Sequence, residues 1–133
     1  SYPGRVVNRV QTELQLEGNV AFGLSQALFE EMVFEGGQLQ NATLTDYMLT
    51  SFEDMPRELA VHILENPERG EIHGIGETSL PPVMAAIGNA VFHATGVRVK
   101  DLPITPEKVL RGLREREAAE QAERKSLAAE PIT

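Results

Sequence analysis

A chain of 133 residues with 41% hydrophobic content suits one modest domain or a piece of a larger one. Its 20 acids against 12 bases leave a net charge of −8, which argues against a nucleic-acid surface and against binding to anionic membranes. Without cysteine it has no disulfide, no cysteine–zinc site and no cysteine-ligated iron–sulfur cluster, and no apolar run approaches the length of a membrane span.

The chain opens on Pro3-Gly4, a turn signal, and Arg5–Asn8, a short strand or loop. That opening is too short and too mixed in polarity for a secretory leader, and it reads as the interior of a fold that another segment or chain completes. Residues 9–35 predict a helix. Leu14, Leu24, Ala27, Leu28 and Met32 mark one face, and Val20, Ala21, Phe22 and Phe29 widen it, a girth that predicts burial on several sides. Gly18 and Gly23 lie inside this helix, each costing about 1 kcal/mol against Ala, and so point to close approach of a backbone or a ligand. Glu30, Glu31 and Glu35 end the segment, and Gly36-Gly37 stop it.

Gln38–Tyr47 reads as a strand, Met48–Arg57 as irregular, and Glu58–Leu64 as a second strand through its alternating Leu59, Val61 and Ile63. Asn66–Gly70 is a loop. Residues 80–95 predict a second helix with Val83, Ile87, Ala90, Val91 and Ala94 on one face and Gly96 as its C-terminal cap. Thr105-Pro106-Glu107 starts a third helix with Val109, Leu110 and Leu113 inward. From Glu115 to Glu130 the composition predicts an exposed helical extension that frays. The expected fold class is α+β, about three helices packed on a small mixed sheet. Residues 1–114 form the folded portion and 115–133 a charged tail.

Chemistry concentrates in Gly74-Ile75-Gly76-Glu77-Thr78-Ser79-Leu80-Pro81-Pro82. Glycines permit a tight turn, and prolines are tolerated in the first turn of a helix. Glu77 is therefore expected on a tight loop at the lip of a helix N-terminus, beside free backbone donors, where a carboxylate can serve as a general base next to an anion-binding surface. The same pattern also suits a plain helix-start acid that complements the dipole. Gln15, in Gln15-Leu16-Glu17-Gly18, can offer its amide to a heterocycle edge, or be satisfied by backbone or solvent. His62, His73 and His93 lack metal-ligand spacing, and only His73 lies near the glycine loop. The loop lacks the further glycine and the Lys-Ser/Thr of a phosphate-binding loop. Asp46-Tyr47 reads as structural.

Several blocks in order resemble one family: Gly4–Asn8, Gln15–Gly18, Gly23–Leu28, Thr45–Tyr47, Gly74–Glu77, Pro81-Pro82, Gly88–Val91 and Leu102–Glu107. The chain resembles the C-terminal end of the molybdenum-binding subunit of molybdenum hydroxylases, the xanthine dehydrogenase and aldehyde oxidase family. Phe22–Ser25 and Pro81-Pro82 look closest to the isoquinoline 1-oxidoreductase β-subunit branch. The resemblance covers about residues 4–113.

It implies that Glu77 is the glutamate standing beside molybdenum as general base. It implies that Gln15 hydrogen-bonds the pterin, that Gly74 and Gly76 pack near the metal, and that Thr78 and Ser79 offer donors to the cofactor. No side chain of this chain is implied as a metal ligand. The cofactor implied is molybdenum with molybdopterin cytosine dinucleotide, and partner subunits carry iron–sulfur clusters and FAD or haem. The substrate class is an aldehyde or an N-heteroaromatic ring. The partners are the remaining molybdenum-binding segment or subunit and an iron–sulfur electron-transfer subunit, in a cytoplasmic or periplasmic complex, the cytoplasm being the expectation. Many members carry Lys at the position of His73 and Gln at that of Phe22. The competing readings are a non-catalytic assembly domain and a metal-free anion- or nucleotide-binding module.

Overall fold

The computed structural model describes residues 1–66, 68 and 70–129. Three helices carry the architecture: α1 (Arg9–Leu28), α2 (Leu80–Thr95) and α3 (Pro106–Ala129), with a short hairpin, β1 (Phe34–Glu35) and β2 (Gln38–Leu39), between the first two. This is the expected α+β class.

Helix α1 starts where Asn8, in extended backbone, accepts the Gln11 N–H on its side-chain oxygen at 3.0 Å. It ends at Leu28, where the amides of Phe29 and Glu30 both turn back to the Ser25 carbonyl. The expected continuation to residue 35 fails because Glu30 and Glu31 would add negative charge to the negative end of the helix dipole. Gly36 and Gly37, at φ +56° and +81°, do not stop a helix. They make the turn of the β1–β2 hairpin, which needs positive φ at both central residues.

The expected wide burial of α1 also needs correction. One stripe is buried, made of Thr12, Leu16, Asn19, Gly23 and Ala27, while Leu14 and Phe22 are exposed. That stripe packs on α2, and Gly23 is the point of closest approach. A β-carbon there would lie 2.6 Å from Val83 Cβ. A β-carbon at Gly18 would meet nothing within 4 Å beyond the backbone of α1 itself.

The strand expected at Gln38–Tyr47 shrinks to Gln38–Leu39. Asn41 ties the following loop back instead, accepting from Val33 N–H and donating to the Glu31 carbonyl. Glu58–Leu64 is not a regular strand, though Val61 and Ile63 are half-buried and His62 exposed, as its alternation predicts. Pairing falls slightly later. Gly4 bridges Glu65 in parallel and Ile72 in antiparallel fashion, so the first residues lie between two segments of opposite sense. Gly4 sits at φ +73° with the Glu71 carbonyl where a side chain would project, a position only glycine accepts.

Helix α2 begins after Ser79, carries Pro81 and Pro82 in its first turn, and ends on Gly96 in left-handed conformation, its N–H bonded to the Phe92 carbonyl. The Ile104 N–H donates to the Ala27 carbonyl at 2.6 Å and ties the last connection to the end of α1. That connection contains a cis Leu102–Pro103 bond and is clamped by Lys108, which donates to the Pro103 carbonyl at 2.9 Å and pairs with Asp101 at 2.9 Å. Gly112 lets α3 close on Val97. The side chains of residues 114–127 are exposed, as expected of the tail, and its last residues, 130–133, lie outside the described residues, as do Pro67 and Arg69 of the expected 66–70 loop.

Leu16, Ala27, Val97 and Ile104 form the small buried core. The chain exposes 10,208 Å² of surface. A compact monomer of this mass would expose about 6,900 Å². This is the surface of a portion of a larger domain.

Candidate functional site

Gln15 and Asn19 lie one turn apart on α1, and both reach the loop that precedes α2. The Gln15 Nε2 donates to the Gly76 carbonyl at 2.6 Å, and the Asn19 Nδ2 donates to Ser79 Oγ at 2.8 Å. Glu77 stands between these two anchors, and its own carbonyl accepts the Leu80 N–H at 3.1 Å. Its backbone is thus held on both sides. Its carboxylate is exposed and has no hydrogen-bond or ion-pair partner among the described residues. A base needs that combination of fixed position and free lone pairs.

The expected anion-binding donors are largely missing. Pro81 and Pro82 have no N–H, and the Leu80 N–H is taken by Glu77. Ser79 makes no side-chain cap, because its oxygen accepts from Asn19. With the Glu77 carboxylate beside it, this helix start does not favour an anion.

A cleft of about 430 Å³ opens next to the loop, lined among others by Arg5, Asn8, Gln11, Gln15, His73 and Gly76. His73 is held by its N–H to the Pro3 carbonyl at 2.9 Å, and its ring lies 5.5 Å from that of Tyr2. Its Nε2 is 3.6 Å from Glu71 Oε2. Arg5 donates its backbone N–H to the Glu71 carbonyl at 2.7 Å, which fixes the opening segment that lines the cleft.

Of the residues singled out from sequence, Gln15 and Gly76 are brought into direct contact and share the cleft. Gly74, Glu77 and Thr78 lie on the exposed loop beside it. Ser79 faces another groove, with Leu16, Val83 and Ala86, and acts as an anchor for the loop. Sequence reasoning missed Asn19 and the cleft residues Arg5 and Asn8. The spacing of Asn19 one helical turn after Gln15 was the available signal. His62 and His93 are exposed, and the described residues hold no group of three or more metal-ligating side chains. Asp46 and Tyr47 are structural. Asp46 accepts from Thr43 Oγ1, and Tyr47 donates to the Glu30 carboxylate at 2.8 Å, a bond that raises the phenol above its ordinary pKa.

Comparison with known proteins gives the family of the chain. Residues 3–56 match the molybdopterin cofactor-binding domain family. The chain is 37% identical over 110 residues to the xanthine dehydrogenase molybdenum-binding subunit of Escherichia coli O157:H7. That match covers 80% of this chain and 15% of the subunit. It belongs to the xanthine dehydrogenase and aldehyde oxidase family of molybdenum hydroxylases.

The fold is that of this family too. Quinoline 2-oxidoreductase from Pseudomonas putida 86 superposes with a TM-score of 0.77 at 32% identity, covering 86% of this chain and 15% of that one. The aldehyde oxidoreductase of Desulfovibrio gigas gives 0.73 at 33% identity, covering 84% and 12%. The chain therefore spans about an eighth to a seventh of the length of these molybdenum hydroxylases. No helix of the described residues is long and apolar enough to cross a membrane.

Proposed function

We propose that this chain supplies the general base and one wall of the cofactor site in a molybdenum-dependent hydroxylase acting on an aldehyde or an N-heteroaromatic ring. The observation that carries the reading is the Gln15–Gly76 hydrogen bond at 2.6 Å, which holds the loop bearing the unpartnered Glu77 carboxylate against α1.

The residues suit a molybdopterin group. The cleft brings amide and guanidinium donors from Asn8, Gln11, Gln15 and Arg5 to one place, and a flat polar heterocycle needs such donors along its edge. A β-carbon at Gly74 or Gly76 would meet nothing within 4 Å, which leaves room above the loop. Gln15 spends one amide hydrogen on Gly76 and keeps its carbonyl oxygen and second hydrogen for a ligand. Gln15 and the Gly74–Gly76 loop would hold the pterin, with the Thr78 backbone beside them. When bound, the molybdenum group supplies the two-electron oxidation chemistry and an activated oxygen.

The protein's part is proton transfer and orientation. Glu77 accepts the proton released as the substrate carbon is hydroxylated, and its carboxylate is ready because no cation of the described residues neutralises it. Gln15 and Asn19 keep that carboxylate from drifting, since a base displaced by an ångström loses much of its advantage. Arg5 places positive charge on the cleft side of the loop, which favours an electron-rich substrate edge or an anionic cofactor group.

The complete enzyme draws its remaining molybdenum-site residues from the rest of the molybdenum-binding subunit. It draws its electron path from a partner carrying iron–sulfur clusters and FAD or haem. The cofactor form is the cytosine dinucleotide, and the complex is cytoplasmic. The test is plasma mass spectrometry of the complex recovered from its native cells through a tag on this chain. About one molybdenum per copy is expected, and cytidine monophosphate should be released on acid hydrolysis. A complex free of molybdenum that still turns over aldehydes or N-heterocycles would refute the proposal.

A further inference from the structure

We infer that the outer face of α1 seats an apolar helix from the remainder of the molybdenum-binding subunit, crossing α1 at Gly18; this rests on the reading above that the chain works within a larger unit. Val10, Leu14, Gly18 and Phe22 follow one another at four-residue spacing, so they form a single row along the helix. Val10 is 64%, Leu14 53% and Phe22 61% exposed. The opposite stripe, Thr12, Leu16, Asn19 and Gly23, is buried against α2. A row at this spacing is the ridge that fits the groove of a second helix.

The two glycines of α1 separate what this chain does from what it awaits. Both cost about 1 kcal/mol in a helix interior relative to Ala. At Gly23 the reason is visible, because Val83 occupies the space a side chain would take. At Gly18 an added β-carbon would meet nothing within 4 Å beyond the backbone of α1 itself. A gap in the middle of an apolar ridge admits the backbone of a crossing element. Over the whole chain, the exposed end of α3 included, about 3,300 Å² more is exposed than on a compact monomer of its mass. One partner of an ordinary recognition interface contributes about 800 Å². The occupant comes from the remainder of a larger subunit, since the match covers 80% of this chain and only 15% of its relative.

The experiment uses the assembled enzyme from its native cells. Phe22 is replaced by the photo-cross-linking residue p-benzoylphenylalanine, and the adduct is mapped by mass spectrometry. Cross-links to apolar residues of one helix in the remainder of the molybdenum-binding subunit are expected. Cross-links to a second copy of this chain, to an iron–sulfur subunit, or none at all would overturn the inference. A second variant adds bulk in the gap. Gly18→Leu keeps α1 intact, since leucine is the better helix former, and should lower the yield of assembled enzyme at least tenfold. Ala122→Leu on the exposed side of α3 adds comparable bulk and should leave the yield unchanged. Equal yields for the two variants also overturn the inference. Molybdenum content distinguishes the two failures. Metal present with no cross-link sinks this face alone, whereas a mapped helix in a complex without molybdenum upholds the face and sinks the cofactor reading.

Discussion

Gly23→Ala is the sharpest probe of how α1 positions the site. The new methyl carbon would lie 2.6 Å from Val83 Cβ, 2.8 Å from its Cγ1 and 3.2 Å from the Leu80 carbonyl oxygen, where ordinary contact begins at 3.4 Å. Two of these atoms are on or next to the α2 backbone, so the strain is relieved only by moving the helices apart. Overpacking of this kind costs about 1–3 kcal/mol. The gain in helix propensity returns about 1 kcal/mol. The net effect is a loss of up to about 2 kcal/mol, or up to about 10 °C in Tm for a domain of this size. Because Val83 follows the Glu77 loop within four residues of its anchor Ser79, the same displacement lengthens the Asn19–Ser79 bond and lowers turnover. Calorimetry of the purified enzyme measures the first effect and steady-state kinetics the second. Deleting the facing side chain, in Gly23→Ala with Val83→Gly, should recover stability relative to the sum of the two single changes. A Tm for Gly23→Ala above that of the parent, or a double variant no better than additive, would refute the steric reasoning.

Three further outcomes follow from the geometry. Glu77→Gln should lower kcat by about 10²–10⁴-fold, the usual worth of a general base, with molybdenum content per chain unchanged; an undiminished kcat would remove Glu77 from the chemistry. Gln15→Leu deletes the amide bond to Gly76, worth only about 0.5–1.5 kcal/mol of stability. Its Tm should move by a few degrees while kcat/KM falls tenfold or more, and parallel small losses in both would reduce Gln15 to a structural residue. Lys108 holds the Asp101 carboxyl below its ordinary pKa by hydrogen bond and charge, with Arg111 adding to it. The folded pKa is thus below the unfolded value of about 3.9, so the pair stabilises the fold above about pH 4 and loses that contribution as pH falls through the folded pKa. Asp101→Asn should therefore lower Tm at neutral pH, with the gap from the parent closing in acid; a gap independent of pH would contradict this assignment.

The helices were legible because their signals are local. Gly96 could be read as a cap because a left-handed residue after an apolar run has few alternatives, and it adopts φ +73°. Pro81 and Pro82 marked the start of α2 for the same kind of reason, since they fit a first turn and little else. The sheet was much less legible. The pairing of Gly4 with both Glu65 and Ile72 joins segments some 60 residues apart, and no local pattern announces it. The end of α1 was misread because the apolar pattern runs on past Leu28, while the charge pattern, two glutamates at the negative end, had already turned against the helix.

Within the site, residue types carried their message and orientations did not. Glu77 and Gln15 could be named from motif and resemblance, but that Gln15 reaches Gly76 depends on how α1 lies across the loop, which is decided by Gly23 meeting Val83 at the far side of the same helix. Thr78 and Ser79 looked equivalent in sequence, yet Asn19 draws Ser79 to the buried side and leaves Thr78 exposed. Burial of α1 was overestimated for a related reason. Its apolar residues circle the helix, and the fold described here provides a partner for only one side. The side bearing Leu14 and Phe22 is apolar and exposed, and it is the face proposed above to seat a helix of the larger subunit. The two proposals meet on one helix: its buried stripe would fix the proposed base, its edge would offer Gln15 to the cofactor, and its outer ridge would join the rest of the protein. A substitution on any one of these three faces is expected to leave the other two measurable, which makes α1 the element on which the proposals can be tested separately.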